Sequence, residues 1–151
     1  MPATAARKVI YRSRHRYSVD SNRRVQFPPE WRTAKPEELT MILWKQQPEF
    51  GACLRVLPPD ELEKLRQKIE TMPAPQKTAL KRVIGGASAK VELDSAKRMP
   101  IPLDMAKEAG ISDEAVFNGM MDYFEIWNPS RHEAIDKKDQ QVVNEILQTF
   151  E

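Results

Sequence analysis

A chain of 151 residues with 40% hydrophobic and 30% charged side chains is sized for one compact domain or two small halves sharing a core, which excludes multidomain machinery and disorder along most of its length. One cysteine, Cys53, and two histidines far apart, His15 and His132, exclude an internal disulfide and offer no zinc-ligand spacing, so a reducing cytoplasm is expected. The net charge of +2 conceals an asymmetry: residues 1–35 carry nine Lys/Arg (Arg7, Lys8, Arg12, Arg14, Arg16, Arg23, Arg24, Arg32, Lys35) against Asp20 and Glu30, which is +7 and leaves the rest of the chain at −5; such clustering points to a polyanionic partner or a solubilising tail.

Residues 1–10 read as a basic N-terminal extension followed by no apolar leader segment, and the longest apolar run, 41–44, is far below the roughly 20 residues of a membrane span, so neither secretion nor membrane insertion is expected. Arg12, Arg14 and Arg16 recur at a spacing of two, which in a strand puts them on one face, able to track a nucleic-acid backbone or to discourage edge-to-edge aggregation. Tyr17 and Val19 alternate with polar neighbours and Val25 and Phe27 resume the alternation past a turn, the pattern of a hairpin. Pro28 and Pro29 end it and open a short helix over 30–34.

Past Pro58-Pro59, an amphipathic helix is expected over 60–72, with Leu62, Leu65, Ile69 and Met72 at helical spacing and Glu61 and Glu63 in the first turn. Pro73 and Pro75 break it, a second helical stretch follows over 76–84, and Gly85-Gly86 is expected to stop that one. Val91/Leu93 and Met99/Ile101 repeat the hairpin pattern, and Pro102 opens a helix over 103–109 closed by Gly110. At the end, Val142, Val143, Ile146, Leu147 and Phe150 line one stripe of a helix over 139–150; packing on the protein's own body is the expectation, a subunit contact the alternative.

The chain repeats itself. The run 17–28, YSVDSNRRVQFP, falls on 91–102, VELDSAKRMPIP, at an offset of 74, and 53–59, CLRVLPP, falls on 123–129, YFEIWNP, at an offset of 70. Each half reads as strand, tight turn, strand, short helix, one or two strands and a helix, and neither half has enough apolar surface to stand comfortably alone. The divisions that follow are the extension (1–10), a first repeat (11–72), a helical connector (73–86), a second repeat (87–135) and a C-terminal amphipathic helix (136–151).

Both turns have the form Asp-x-x-x-Arg, Asp20 to Arg24 and Asp94 to Arg98, with a second basic residue, Arg23 or Lys97, just before the arginine. An aspartate entering a turn accepts bonds from backbone N–H groups a few residues on, and a tight reversal brings its carboxylate toward the arginine that leaves the turn. A guanidinium fixed in this way suits phosphate or guanine recognition; the simpler reading is that the pair only locks the hairpin. Two copies at equivalent points of a repeat favour the former.

Two Asp-Ser-x-x-Arg turns, each followed by an apolar residue and a proline that opens a short helix, with Gly85-Gly86-Ala87-Ser88 before the second and Phe124-Glu125-Ile126-Trp127 after it, resemble the MraZ family over roughly residues 11–135. The resemblance implies an α+β, mainly β, architecture of two tandem swapped-hairpin AbrB-like half-domains (a double-split β-barrel) with short helices and a pseudo-two-fold axis within the chain. It also implies a ring-shaped homo-oligomer at the nucleoid, binding short repeats in the double-stranded promoter DNA of a division and cell-wall gene cluster, usually as a repressor. Carried over, Arg24 and Arg98 are the DNA-contacting arginines and Asp20 and Asp94 the aspartates that shape the turns. The family's usual turn is Asp-Ser-Lys-Gly-Arg. Here Asn22 and Ala96 stand at its lysine and Arg23 and Lys97 at its glycine, where a positive φ would cost a long side chain on the order of 1 kcal/mol.

No glycine-rich phosphate loop, nucleophile elbow or metal cluster is present, so no catalytic centre, metal, cofactor or small-molecule substrate is expected. Cys53 reads as a buried structural thiol, His15 and His132 as surface residues, and Trp44, Phe124 and Trp127 as core. The competing functional reading is a ring-forming scaffold that keeps the fold and has lost specific DNA binding.

Overall fold

A computed structural model describes residues 9–35 and 37–150; Arg7, Lys8 and the rest of the basic extension before residue 9 lie outside them. The fold is α+β. Eight strands, β1 (Arg14–Ser18), β2 (Arg24–Gln26), β3 (Thr40–Trp44), β4 (Cys53–Leu57), β5 (Ser88–Lys90), β6 (Arg98–Pro100), β7 (Glu114–Gly119) and β8 (Phe124–Trp127), combine with four helices, α1 (Pro59–Glu70), α2 (Ala74–Gly86), α3 (Leu103–Ala109) and α4 (Pro129–Leu147). Six strands form one antiparallel sheet in the order β1-β7-β8-β4-β3-β5, and β2 and β6 form a separate ribbon. Among the described residues no closed barrel forms, in contrast to the double-split barrel expected.

The strand order is a palindrome. Exchanging β1 with β5, β2 with β6, β3 with β7 and β4 with β8 returns the same sheet, so the sequence repeat is expressed as an internal two-fold axis. Its residues can be named. Val25 pairs with Met99 at the centre of the ribbon, and these two positions are related by the offset of 74; Arg55 pairs with Glu125 at the centre of the β4/β8 contact, related by the offset of 70. Both contacts across the axis therefore join a position to its own repeat copy.

Pairing between repeats also corrects the expected hairpins. The turns form as anticipated, with Asp20 N–H donating to the Arg24 carbonyl at 3.0 Å and Asp94 N–H to that of Arg98 at 2.9 Å, but the strands then part, and Val19 with Val25 is a single isolated bridge. β1 runs instead along β7, and β5 along β3. The physical reason is burial: Val25, Met99, Phe27 and Ile101 reach a common core only if each half lends its strands to the other. That core, with Leu54, Val56, Phe117, Phe124 and Ile126, lies on one face of the large sheet. Trp31, 2% exposed, adds an aromatic cluster there, its ring centroid 4.8 Å from Phe124 and 5.4 Å from Tyr11.

The helices differ from expectation in instructive ways. Residues 29–31 make a single 3-10 turn, Pro29–Trp31, in place of a helix over 30–34. α2 runs through Gly85 and Gly86, with Ala87 as the capping residue after it; glycine costs a helix only about 1 kcal/mol per residue, and the preceding run is long enough to carry it. α3 ends as read, on Gly110 in the left-handed conformation with φ 68°. α4 starts ten residues before the predicted 139, with Pro129 in its first turn and the Asn128 side chain accepting from Arg131 N–H at 3.0 Å, the usual arrangement for a helix start.

The predicted packing of the C-terminal stripe is overturned. Val142, Val143, Ile146, Leu147 and Phe150 are 45 to 70% exposed. α4 holds the sheet only by its first half, where Ile135 packs with Cys53, Val116 and Trp127. His132 and His15 are half-buried, not surface residues: His132 Nε2 lies 2.7 Å from Asn118 Oδ1, and His15 lies 2.5 Å from Glu30 and edge-on to Trp31. Burial lowers the His132 pKa and raises that of the Cys53 thiol. No helix among the described residues is long and apolar enough to cross a membrane.

Candidate nucleic-acid interface

The two Asp-x-x-x-Arg turns lie side by side at the end of the β2/β6 ribbon and interlock. Asp20 Oδ1 accepts from the N–H groups of Asn22 and Arg24, both at 2.9 Å, and Asp94 Oδ1 accepts from Ala96 and Arg98, again both at 2.9 Å. Each second carboxylate oxygen then faces the other repeat. Arg24 Nη1 lies 3.4 Å from Asp94 Oδ2, and Arg98 Nη1 lies 3.4 Å from Asp20 Oδ2.

Sequence reasoning placed each arginine beside its own aspartate, and this holds for one copy only: Arg98 Nε donates to Asp94 Oδ2 at 3.1 Å. Arg24 instead reaches across the axis. A turn of five residues uses one carboxylate oxygen to close its own backbone, which leaves the other pointing along the ribbon toward the neighbouring turn. The backbone N–H of Arg24 is the leading cause holding the Asp20 carboxyl below its ordinary range, and that of Arg98 does the same for Asp94. Both aspartates are therefore charged at neutral pH, and the Arg24 and Arg98 side chains remain 41% exposed.

Arg23 and Lys97 have φ of 59° and 62°, the left-handed region where a side chain is strained. The turn demands it, because their carbonyls accept the Ile101 and Phe27 N–H groups at 2.9 and 3.2 Å and so join the turns to the opposite strands. Arg23 is further held by Nε donating to the Ile101 carbonyl at 3.1 Å, whereas Lys97 is exposed. Lys97→Gly is expected to raise stability by up to about 1 kcal/mol through relief of this strain, read as a higher urea midpoint with an unchanged slope.

The structure brings Arg23, Arg24, Lys97 and Arg98 together and leaves the β1 arginines elsewhere. His15 and Tyr17 of β1 turn toward the ribbon and core, so Arg14 and Arg16 point to the opposite face of the sheet. Arg14 donates to Asn118 at 3.1 Å and to Asp136 of α4 at 2.7 Å, and Arg16 to Glu114 at 2.7 Å. Arg12 is exposed, its carbonyl accepting from Trp31 Nε1 at 3.0 Å.

Sequence reasoning missed the polar group on the axis. Arg55 donates through Nε and Nη2 to Glu125 Oε2 at 3.1 and 2.8 Å, and Trp127 Nε1 donates to Glu125 Oε1 at 3.0 Å. The guanidinium lies 4.2 Å from the Trp44 ring centroid and 5.0 Å from that of Tyr123. The signal was available: the offset of 70 superposes Arg55 on Glu125, and a position that meets its own copy across a two-fold axis is stable with opposite charges and unstable with like ones.

Fold and turns together define a tandem-repeat α+β protein that presents two interlocked acid–base turns on an internal two-fold axis. The family described as "MraZ protein, putative antitoxin-like" matches residues 84–148. The chain is 29% identical over 138 residues to the transcriptional regulator MraZ of Rickettsia felis, covering 90% of this chain and 93% of that protein. It is 28% identical over 124 residues to the protein of the same name from Hyphomonas neptunium, covering 81% and 74%. The chain is therefore similar to the MraZ family, over its second half to the family model and over most of its length to these relatives.

Proposed function

We propose that the protein is a sequence-specific DNA-binding transcriptional regulator, not an enzyme. The observation that carries this is the pair of exposed guanidinium groups, Arg24 and Arg98, held a fixed distance apart by two turns related by the axis. Such a pair can meet two successive phosphates or base edges without first being ordered, because the aspartates and backbone already hold it. Arg23 and Lys97 add positive charge beside them. The names of the curated relatives, transcriptional regulator MraZ, agree with this reading.

The finer reading follows the family. The two halves act as swapped-hairpin AbrB-like units, the chain assembles as a ring-shaped homo-oligomer at the nucleoid in the cytoplasm, and successive subunits engage short repeats in the promoter of a division and cell-wall gene cluster. Arg12, Arg14 and Arg16 belong to a secondary contact at most, since two of them face carboxylates on the far side of the sheet.

One observation favours a second reading. Within the interlocked cluster two arginines face two aspartates, so their formal charges cancel, and the net positive charge of the turns falls to Arg23 and Lys97 alone. A scaffold that has lost specific DNA binding would have such a site. Gel shifts with DNA from upstream of the protein's own gene and with unrelated DNA, at two salt concentrations, separate the two. A regulator binds its own sequence in the nanomolar range, more tightly than the unrelated one, and loses affinity steeply with salt. Equal affinity for both sequences, or none at physiological salt, identifies the scaffold.

A further inference from the structure

The two repeats part company just after their ribbon strands. In the second, the chain past Pro102 folds into α3, and Met105, Ala106, Ala109 and Ile111 are buried in the core. In the first, only the single turn Pro29–Trp31 forms, and the offset of 74 sets Arg32 where the second repeat has Ala106. A buried methyl group on one side of the axis thus corresponds to a guanidinium on the other.

A pocket of about 230 Å³ opens beside that guanidinium. Its walls are apolar and largely aromatic, with Tyr11, Phe27 and Trp31 from the first repeat and Val91 and Leu93 from the second. Arg32, Lys97, Glu37 and Thr33 supply the polar lining, where two cations against one carboxylate leave a net of one positive charge. At about 30 Å³ per water molecule the volume holds roughly eight waters, room for a small organic molecule but not for a nucleotide.

One donor in the pocket wall has no acceptor. Arg32 Nη2 donates to the Phe27 carbonyl at 2.9 Å, which fixes the guanidinium in place, and Phe27 N–H is itself tied to the Lys97 carbonyl at 3.2 Å. Arg32 Nε, in contrast, is buried and has no hydrogen-bond partner among the described residues. A buried N–H without an acceptor is costly and rare in native proteins. Because the group is already oriented, a ligand that brings its own acceptor pays little to order it. A carboxylate supplies that acceptor with a single negative charge, matching the lining, where a phosphate dianion would exceed it. A planar ring suits the aromatic walls, against which it packs edge-on or offset.

We infer that this pocket binds a small aromatic monocarboxylate, its carboxylate accepting from Arg32 Nε and its ring packed among Tyr11, Phe27 and Trp31. The site goes beyond the regulator reading and does not depend on it, since Lys97 alone of these residues belongs to the turns.

Ligand-observed NMR titrations of the full chain without DNA test the inference, with benzoate as the probe. Benzoate is expected to bind at one site per chain with a dissociation constant of about 1 mM or tighter, within reach of a ligand of about nine non-hydrogen atoms. Benzyl alcohol, of similar size and uncharged, is expected to bind at least tenfold more weakly, and inorganic phosphate, charged but without a ring, weaker still. Arg32→Met should weaken benzoate at least tenfold, and Val91→Phe, which keeps Arg32 and fills the cavity, should abolish its binding, both with unchanged circular dichroism. No benzoate binding up to about 10 mM, well above that constant, overturns the inference. Equal affinity for benzyl alcohol or for phosphate also overturns it, because the site would then recognise only the apolar body or only the charge. Undiminished benzoate binding in Arg32→Met would place the anion elsewhere. Should that variant fail to fold, Val91→Phe decides, and benzoate binding retained there overturns the assignment of the pocket.

Discussion

Alanine at both Arg24 and Arg98 is expected to raise the dissociation constant for the protein's own promoter DNA by at least about a hundredfold and to leave the fold intact. Each well-placed guanidinium contact contributes about 1–3 kcal/mol, and about 1.4 kcal/mol corresponds to tenfold, so the loss of two contacts reaches that range at its middle. Stability should change little. Both side chains are partly exposed, and truncation leaves Asp20 and Asp94 still accepting two backbone N–H bonds each, so the turns keep their geometry. Fluorescence anisotropy titrations at several salt concentrations, with a melting curve on the same sample, check both halves of the claim. The salt series also separates the two possible roles: arginines that contact phosphate lower the slope of log K against log salt by about 1 each, whereas arginines that read bases leave the slope and relax the sequence preference. Native-like affinity in the double variant would sink the assignment of these turns as the reading heads.

The largest stability effect is expected at the axis, away from the turns. Arg55→Ala leaves Glu125, 7% exposed, with its charge uncompensated; breaking one side of a buried ion pair costs about 3–5 kcal/mol. For a chain of this size about 2–4 °C is lost per kcal/mol, so the melting temperature should fall by about 6–20 °C. Glu125→Ala should cost as much or more, because it also strands the Trp127 indole N–H. Replacing both partners, Arg55→Met with Glu125→Leu, should recover most of the loss, since the desolvation cost of two charges disappears together with their attraction. Calorimetric melting of the four proteins closes a double-mutant cycle; two additive single losses would show that the pair is not coupled.

Legibility in the sequence followed the range of each interaction. The two turns, the helices α1 and α3 and the left-handed Gly110 are local features, each set by residues within a few positions of one another, and each lies at nearly the position its local sequence indicates. The strand partners are not indicated in this way. Tyr17 and Val19 alternate in the same way whether they pair with β2 or with β7, because alternation reports only that one face is buried and says nothing of the neighbour. The same limit explains Arg12, Arg14 and Arg16: a spacing of two correctly gave a shared face, but only the packing of α4 and β7 sets carboxylates opposite two of them. For Arg24, the sequence supplied the aspartate and arginine of one turn, while the second turn, 74 residues on, became its partner through the axis. The stripe on α4 was legible as a stripe; what covers a stripe is not written in its periodicity.

The palindromic strand order bears on how the protein comes into being in the cell. Arg14 in β1 meets Asn118 in β7, 104 residues away, and β5 must return to β3, so almost every strand of the first repeat waits for one from the second. During synthesis the nascent first half therefore leaves the ribosome with β3 and β4 able to pair with each other but with β1 and β2 lacking their partners, and cooperative closure is expected only after Trp127 has emerged. A truncated product ending between the repeats lacks the strands that pair with β1 and β2, so its apolar residues are expected to stay exposed and to favour aggregation over a stable fold.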